Sequence, residues 1–231
     1  MSGTSVAQVV RELTGRADPQ KVEGMARFGI NPRGTLGVSG KDLRQIAKRL
    51  GDDHALAEGL WATGIQEARI LAAFVDEPEL VTDRQMERWV RDLDSWDVTD
   101  QVCSNLFDKT PFAYAKAVEW SARKEEFVKR AGFVLMAALA VHDKAADDAR
   151  FEQFLPIIER ESVDDRNYVR KAVNWALRQI GKRSPGLNRS AVSVASRLKT
   201  SRSASARWIG SGALRELTSG AASRRFPGER R

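Results

Sequence analysis

The chain of 231 residues is long enough for one large domain or a continuous repeat array, and its 42% of hydrophobic residues can supply a core. This composition excludes a disordered chain, and no uncharged apolar run is long enough to span a membrane. The N-terminal residues lack the basic start and apolar run of a secretory signal. A single cysteine, Cys103, and two histidines, His54 and His142, exclude an internal disulfide and a His/Cys metal site. We therefore expect a cytoplasmic protein, nucleoid-associated in a bacterium, that uses no metal and no cofactor.

The net charge of +7 is distributed unevenly along the chain. From Arg166 to the last residue there are 16 Lys and Arg against two acidic residues, Glu216 and Glu229, whereas residues 1–165 hold 22 basic and 29 acidic residues. Such polarity indicates a polyanionic partner, either nucleic acid or an anionic membrane surface. The alternative is a solvated basic segment without a specific partner, and charge alone does not decide between them.

Apolar residues recur at helical spacing along almost the whole chain, and strand-like alternation is nearly absent. The pattern predicts helices over 4–14, 19–28, 41–50, 53–62, 65–76, 82–92, 95–107, 112–121, 125–142, 148–161, 166–181, 188–199 and 204–218. Short segments rich in Gly, Pro or Asp separate them, among them Ser184-Pro185-Gly186. The expected fold class is therefore all-α, with short helices arranged as stacked hairpins.

An internal repeat supports stacking. Four segments place a small residue beside a basic one on an apolar helix, around Ala68, Ala131, Ala172 and Ala206. The successive alanines are 63, 41 and 34 residues apart. The first gap fits two two-helix units, and each of the other two gaps fits one such unit. This period predicts an α-α superhelix of HEAT-like repeats over 1–219 with a concave binding face, followed by a basic disordered tail over 220–231. An unstacked helical bundle is the alternative.

The segment from Asp94 to Val102 holds the most informative candidate site. On a helix that begins near Ser95, the valines at 98 and 102 and Leu106 form one apolar stripe. Trp96 and Asp100 are i, i+4 neighbours on nearly the opposite side, so an indole and a carboxylate lie side by side. Packing of Trp96 against a neighbouring repeat is the structural alternative. Asp97, three residues after Asp94, resembles the second partner of a capping box.

Other candidates have structural interpretations that we prefer. The Gly-rich loop 31–37 follows no strand, which disfavours a nucleotide cradle. Lys129 could be a Schiff-base nucleophile, but a solvated or phosphate-binding lysine is favoured. The two histidines have no triad-like partners and are interpreted as helix-end residues. The remaining tryptophans near helix ends, Trp61, Trp89 and Trp120, are interpreted as core residues.

Together, several of these segments resemble the DNA alkylation repair family, the AlkD-like HEAT-repeat DNA glycosylases, from about Ala7 to Leu217. The resemblance is carried by 28–30 (FGI), 37–38 (GV), 43–48 (LRQIAK), 95–100 (SWDVTD), 129–131 (KRA) and 170–178 (RKAVNWALR). The elements 95–100 and 170–178 are specific in combination. The chain departs from the family at Ser39, near which relatives often carry a proline, and in its long Gly-rich loop.

The resemblance implies a monofunctional glycosylase that hydrolyses the N-glycosidic bond of N3- or N7-alkylated purines in duplex DNA without flipping the base. It implies that Trp96, Asp100, Arg130 and Trp175 line a DNA-binding cleft. Asp100 would stabilise the cationic sugar and orient water, the indoles would pack on the sugar and backbone, and Arg130 would hold a phosphate.

Further phosphate contacts are predicted by position at Lys48, Lys129, Arg166, Arg170, Lys171 and Arg207. The expected partner is double-stranded DNA containing alkylated bases, bound by a monomer and without a membrane. Because some relatives keep the fold without the activity, a non-catalytic module that binds bent or branched DNA stays open. A protein–protein scaffold whose basic third faces an acidic partner is a further alternative.

Overall fold

The structure is a computed structural model that describes residues 4–219. These residues form α-helices and one short 3₁₀ helix, and no strand occurs among them. The α-helices are α1 (Val6–Gly15), α2 (Pro19–Arg27), α3 (Gly40–Leu50), α4 (His54–Ala62), α5 (Gln66–Val75), α6 (Asp83–Arg91), α7 (Trp96–Asn105), α8 (Ala113–Ser121), α9 (Glu126–His142), α10 (Asp148–Glu152), α11 (Phe154–Glu161), α12 (Asn167–Ile180), α13 (Pro185–Lys199) and α14 (Ala204–Leu217). The 3₁₀ helix is Phe107–Lys109. The predicted all-α class is confirmed.

Two of the predicted helices differ from the structure for local reasons. The helix predicted over 148–161 is divided into α10 and α11, which meet at Gln153. Helix α13 begins at Pro185, three residues before its predicted start, because proline fits the first helical position and the Ser184 hydroxyl accepts a hydrogen bond from the Leu187 amide. Ser184-Pro185-Gly186 therefore starts this helix and does not merely break the chain.

The chain consists of two compact units, the first ending at Pro111 and the second beginning at Phe112. In the first unit α3 packs on α5 and α5 on α7, and α4 is the antiparallel partner of α5. In the second unit α9 packs on α12 and α12 on α14, while α8 pairs with α9 and α13 with α14. In each unit the second helices thus contact one another in chain order, and the first helices α4, α8 and α13 pair with the second helices that follow them.

The four repeat alanines lie in second helices, one each in α5, α9, α12 and α14. Ala68, Ala131, Ala172 and Ala206 are all fully buried, which allows the close helix approach that the repeat predicts. The packing role predicted for the small repeat residue is therefore confirmed in each of these four helices. A single array over 1–219 stays a prediction, and the basic tail predicted over 220–231 lies outside the described residues.

The tryptophans predicted to be core residues are buried. Trp61 stacks on Trp89 with 4.0 Å between ring centroids and 5° between planes, and its indole nitrogen donates to Asp92 at 2.9 Å. Trp120 is also fully buried, as is Cys103. Each histidine lies at a helix end as predicted, His54 as the first residue of α4 and His142 as the last residue of α9. No helix within residues 4–219 has the length and apolar character needed to cross a membrane.

Candidate nucleic-acid interface

Helix α7 presents the predicted pair of Trp96 and Asp100. The helix begins at Trp96, and Asp100 follows one turn later. Val98, Val102 and Leu106 are all buried, so the predicted apolar stripe is confirmed. Trp96 and Asp100 are half-buried, which leaves part of each side chain accessible. The structure thus places an indole and a carboxylate beside each other outside the packed stripe of one helix.

The indole of Trp96 is oriented by a hydrogen bond to the polypeptide backbone. Its Nε1 donates to the carbonyl oxygen of Phe28 at 3.0 Å. Phe28 ends α2, and its own side chain is 75% exposed. Three residues later Asn31 Nδ2 donates to Asp94 Oδ2 at 2.5 Å, just before α7 begins. The segment that follows α2 is therefore attached to the start of α7 at two points.

The Gly-rich loop 31–37 binds an internal carboxylate. Glu67, only 1% exposed, accepts hydrogen bonds from the backbone amides of Leu36 at 2.9 Å, Gly37 at 2.7 Å and Val38 at 3.3 Å. Successive amides of this kind form an anion-binding nest. Gly37 has a φ of +82°, and a Cβ there would lie 2.4 Å from the Asp18 carbonyl oxygen. The glycine spacing therefore serves Glu67, and the structure provides no support for a nucleotide cradle.

A chain of polar side chains connects this loop to α7. Thr35 Oγ1 donates to Gln66 Oε1 at 2.7 Å, and Gln66 Nε2 donates to the carboxylate of Asp97. Ser95 Oγ also donates to Asp97, at 2.7 Å. Burial raises the pKa of Asp97 above its usual value, and the hydrogen bond from Ser95 opposes this shift. The loop, α5 and the first turn of α7 are thus joined by side-chain hydrogen bonds.

The capping box predicted for Asp94 and Asp97 is wrong. The N-cap of α7 is Ser95, no side chain caps the helix, and Asp97 is the second helical residue. Because α7 starts one residue later than the capping box requires, the carboxylate of Asp97 meets Gln66 of the neighbouring repeat instead. Its role remains structural, but it acts between repeats.

In the second unit, Arg130 and Trp175 lie in different second helices. Arg130, on α9, is 5% exposed, and its Nη1 donates to the carbonyl oxygen of Tyr168 on α12 at 2.6 Å. Trp175, on α12, is half-buried. Trp96 and Asp100 belong to the first unit and these two residues to the second, so convergence of all four stays a prediction.

Two of the predicted phosphate contacts are already engaged by carboxylates. Lys129 Nζ lies 2.7 Å from Glu161 and 3.4 Å from Asp164, with its side chain 11% exposed, so it is not a solvated lysine. Arg166 Nη2 lies 2.6 Å from Asp164. Although burial opposes the shift, the hydrogen bonds from Arg166 lower the pKa of Asp164. These cations hold the N-terminal end of α12 against α9.

The other predicted phosphate contacts are more accessible. Lys48 on α3, Lys171 on α12 and Arg207 on α14 are exposed. Arg207 Nη1 also donates to the carbonyl oxygens of Ser201 at 3.0 Å and Arg202 at 2.7 Å. Arg170 lies over the ring of Trp208, 5.1 Å from its centroid.

Three features were missed by the sequence interpretation. Glu67 precedes its repeat alanine just as Arg130 and Lys171 precede theirs, so an acidic residue stands where two other repeats have a basic one. This difference in charge could have indicated that Glu67 has a partner of its own within the fold. His54 Nδ1 lies 2.6 Å from the buried carboxylate of Asp76, a partner that the sequence did not reveal. Trp208 is 44% exposed, which helical periodicity alone could not show because the surrounding apolar residues are dense.

Comparison with known proteins identifies the family of the chain. Residues 9–217 match the family model of the DNA alkylation repair enzymes. A solved structure superimposes with a TM-score of 0.75 at 21% identity, covering 84% of this chain and 83% of that one. It belongs to a family described as related to the HEAT-like repeat DNA glycosylases, with affinity for branched DNA structures.

A curated protein also matches a shorter segment. The small chain of carbamoyl phosphate synthase from Rhodopirellula baltica is 26% identical over 107 residues, which cover 42% of this chain. The match spans only 28% of that protein's length, so it supports no functional inference. The solved structure establishes the HEAT-like helical fold, and the match of the family model over residues 9–217 shows that the chain belongs to the DNA alkylation repair enzyme family.

Proposed function

We propose that this protein is a DNA glycosylase that hydrolyses the N-glycosidic bond of N3- or N7-alkylated purines in duplex DNA. The observation that carries the proposal is the arrangement on α7. The indole of Trp96 is oriented by the Phe28 carbonyl, and the carboxylate of Asp100 is one turn away. Both side chains are partly accessible, as groups that contact a substrate must be. Family membership is consistent with this chemistry.

The reaction suits a carboxylate beside an aromatic ring. Alkylation at N3 or N7 makes the purine cationic, so the base leaves with the electron pair of the glycosidic bond and becomes neutral. Positive charge moves to the deoxyribose as that bond breaks. Asp100 would stabilise the sugar cation and orient the water whose oxygen bonds to C1′, accepting a proton from it. The ring of Trp96 would exclude bulk water and add a cation–π attraction.

DNA contacts are proposed separately for each unit. In the second unit, Trp175 would pack against the DNA backbone, and the exposed Lys171 and Arg207 would contact phosphates. In the first unit Lys48 has the same role. Arg170 would contact DNA next to Trp208. Double-stranded DNA with alkylated bases is the proposed partner, bound by a monomer.

The buried cations have a different status. The phosphate contact implied for Arg130 requires its guanidinium to become accessible, whereas its bond to the Tyr168 carbonyl supports a role in positioning α12. Lys129 and Arg166 likewise support a positioning role through their carboxylate partners. Loss of activity in Arg130→Ala would therefore not distinguish catalysis from structure, and Asp100 is the informative position.

A second candidate function is a non-catalytic module that binds branched DNA. It is favoured by the description of the solved structure, whose family has affinity for branched DNA. In this case Trp96 would contact DNA and Asp100 would have no chemical role. The two candidates agree on DNA as the partner and differ only in whether a base is released.

Base release from methylated duplex DNA tests the proposal. We expect the wild-type protein to free 7-methylguanine or 3-methyladenine, and Asp100→Asn to lower the rate about 100-fold or more while duplex binding persists. Asp52→Asn, at an exposed position between α3 and α4, is the matched control and should keep the wild-type rate. A wild-type protein that binds DNA but releases no base would support the second candidate. Absence of a gel shift with both plain duplex and branched DNA would contradict both and favour a protein scaffold.

A further inference from the structure

Helices α12 and α14 run side by side in the second unit and share one row of contacts. Arg170 lies over Trp208, Asn174 Nδ2 donates to the Ile209 carbonyl oxygen at 3.0 Å, and Arg178 forms an ion pair with Glu216. Because the contacts advance in the same direction along both chains, the two helices are parallel here. Between them lies a groove of about 360 Å³, lined by Asn174, Arg178, Trp208, Ser211, Gly212, Arg215 and Glu216, which we call the α12–α14 groove.

Trp208 stands at the edge of the α12–α14 groove with an unusual exposure. It is 44% exposed, whereas Trp61, Trp89 and Trp120 are at most 2% exposed and form the core. Its ring carries the guanidinium of Arg170 at 5.1 Å from the centroid. Because so much of this indole is exposed, it contributes little to the core and is available to contact a ligand.

The groove is held open and is positively charged. Gly212 lines it, and a Cβ at that position would lie 3.2 Å from Asn174 Nδ2, so a larger residue would begin to close it. Its acidic group, Glu216, is already shared by Arg178 and Lys182, the latter at 2.8 Å. Arg215 on α14 is exposed at the groove. The groove volume lies within the range of small-ligand sites, about 300–1,000 Å³. The groove also offers an aromatic ring and an exposed guanidinium to a ligand.

We propose that the α12–α14 groove binds one unpaired nucleotide of DNA, with the base stacked on Trp208 and its phosphate at Arg215. The inference rests on the proposed DNA-binding function and deepens it by naming the preferred DNA. Bases in an intact duplex are stacked on each other and offer no free face, whereas a base at a fork, gap or junction does. Stacking on an aromatic side chain is tolerant of sequence, so the site selects unpaired structure and not a particular base.

Binding of two DNA molecules tests this inference. One is a blunt duplex, and the other is a fork with the same number of nucleotides and two unpaired arms. Trp208→Leu removes the ring without changing the charge. We expect it to weaken binding of the fork about 5- to 150-fold and to leave the duplex unchanged. Trp208→Phe keeps a ring and should retain most of the affinity for the fork.

Charge variants separate the two parts of the site. Arg215→Ala should weaken binding of the fork and lower the slope of log K against log salt concentration by about 0.7 to 0.9, whereas Trp208→Leu should not change that slope. Lys199→Ala, an exposed cation in the last turn of α13, is the matched control and should leave the preference for the fork intact. Trp208→Gln replaces the Leu variant if the latter does not fold, as judged by circular dichroism.

The outcomes distinguish this inference from the function on which it rests. Equal binding of the fork by the wild type and Trp208→Leu, with duplex binding intact, overturns the inference and leaves the proposed function standing. A wild-type protein that binds neither DNA overturns both. A selective loss of fork binding in Trp208→Leu supports the inference whether or not the protein releases a base.

Discussion

The indole nitrogen of Trp96 and the carbonyl oxygen of Phe28 are joined by a 3.0 Å hydrogen bond across 68 positions of sequence. The bond satisfies the only hydrogen-bond donor of the indole and thereby orients the ring. The acceptor lies in the segment that Asn31 also attaches to the start of α7. The aromatic part of the candidate site is therefore positioned by a loop from an earlier repeat.

Replacing Trp96 by phenylalanine isolates this hydrogen bond. Trp96→Phe keeps an aromatic ring but removes the donor, so we expect a free energy of unfolding lower by about 1 kcal/mol. Base release should fall while the affinity for plain duplex changes little. Urea unfolding followed by circular dichroism measures the first effect. An unchanged rate of base release would show that the orientation of the ring has no part in the reaction.

Removal of Glu67 tests the role of the Gly-rich loop. Glu67→Ala deprives three backbone amides of their acceptor in a buried place, so we expect a loss of about 3 kcal/mol in the free energy of unfolding. Chemical denaturation measures it. Glu79→Ala, at an exposed position before α6, is the control and should change stability by less than about 0.5 kcal/mol. Similar stability of the two variants would contradict the structural role of the nest.

The stability of the second unit should depend on pH through Asp164. Burial raises the pKa of its carboxyl, but the hydrogen bonds from Arg166 and the positive charges of Arg166 and Lys129 together lower the pKa below its usual value in the folded protein. A carboxyl with a depressed pKa contributes stability above its unfolded pKa, about 3.9, and this contribution is lost as the pH falls through the folded pKa. We therefore expect Tm to fall as the pH decreases from about 5 to about 2, which is from about one unit above the unfolded pKa to about two units below it. The decrease in Tm should be smaller in Asp164→Asn than in the wild type.

The neighbouring residue provides the control for this titration. Asp165 is exposed and adjacent in sequence, and Asp165→Asn should show the wild-type decrease in Tm on acidification. Differential scanning calorimetry over the same pH series gives both curves. Parallel curves for the wild type and Asp164→Asn would rule out the proposed contribution of Asp164.

The two lysines 129 and 171 should respond differently to removal of their charge. Lys171 is exposed, so Lys171→Ala should lower the salt dependence of duplex binding by about 0.9 in slope and leave Tm unchanged. Lys129→Ala leaves Glu161 and Asp164 without their ammonium and should cost about 2 kcal/mol of unfolding free energy. Binding isotherms at several salt concentrations and urea unfolding give the two readouts. A loss of stability in Lys171→Ala, together with a lower salt dependence of binding in Lys129→Ala, would contradict both assignments.

Local signals account for what could be predicted at the site. The i, i+4 spacing placed Trp96 and Asp100 on one side of α7 and the valines on the other, and burial of the valines confirms it. The capping box was wrong by a single residue, since the N-cap is Ser95. Such a shift changes the partner of Asp97 completely, because its actual partner, Gln66, belongs to the preceding repeat.

The order of the helices, the approximate bounds of most of them and the burial of the repeat alanines follow from the amino-acid sequence by itself. The reason is that helix periodicity, caps and breakers act over a few residues. Only the tertiary structure decided that Glu67 is held by loop amides, that Lys129 is paired and that Trp208 is exposed. Those properties depend on groups about 30 or more positions away, which meet only when the hairpins stack.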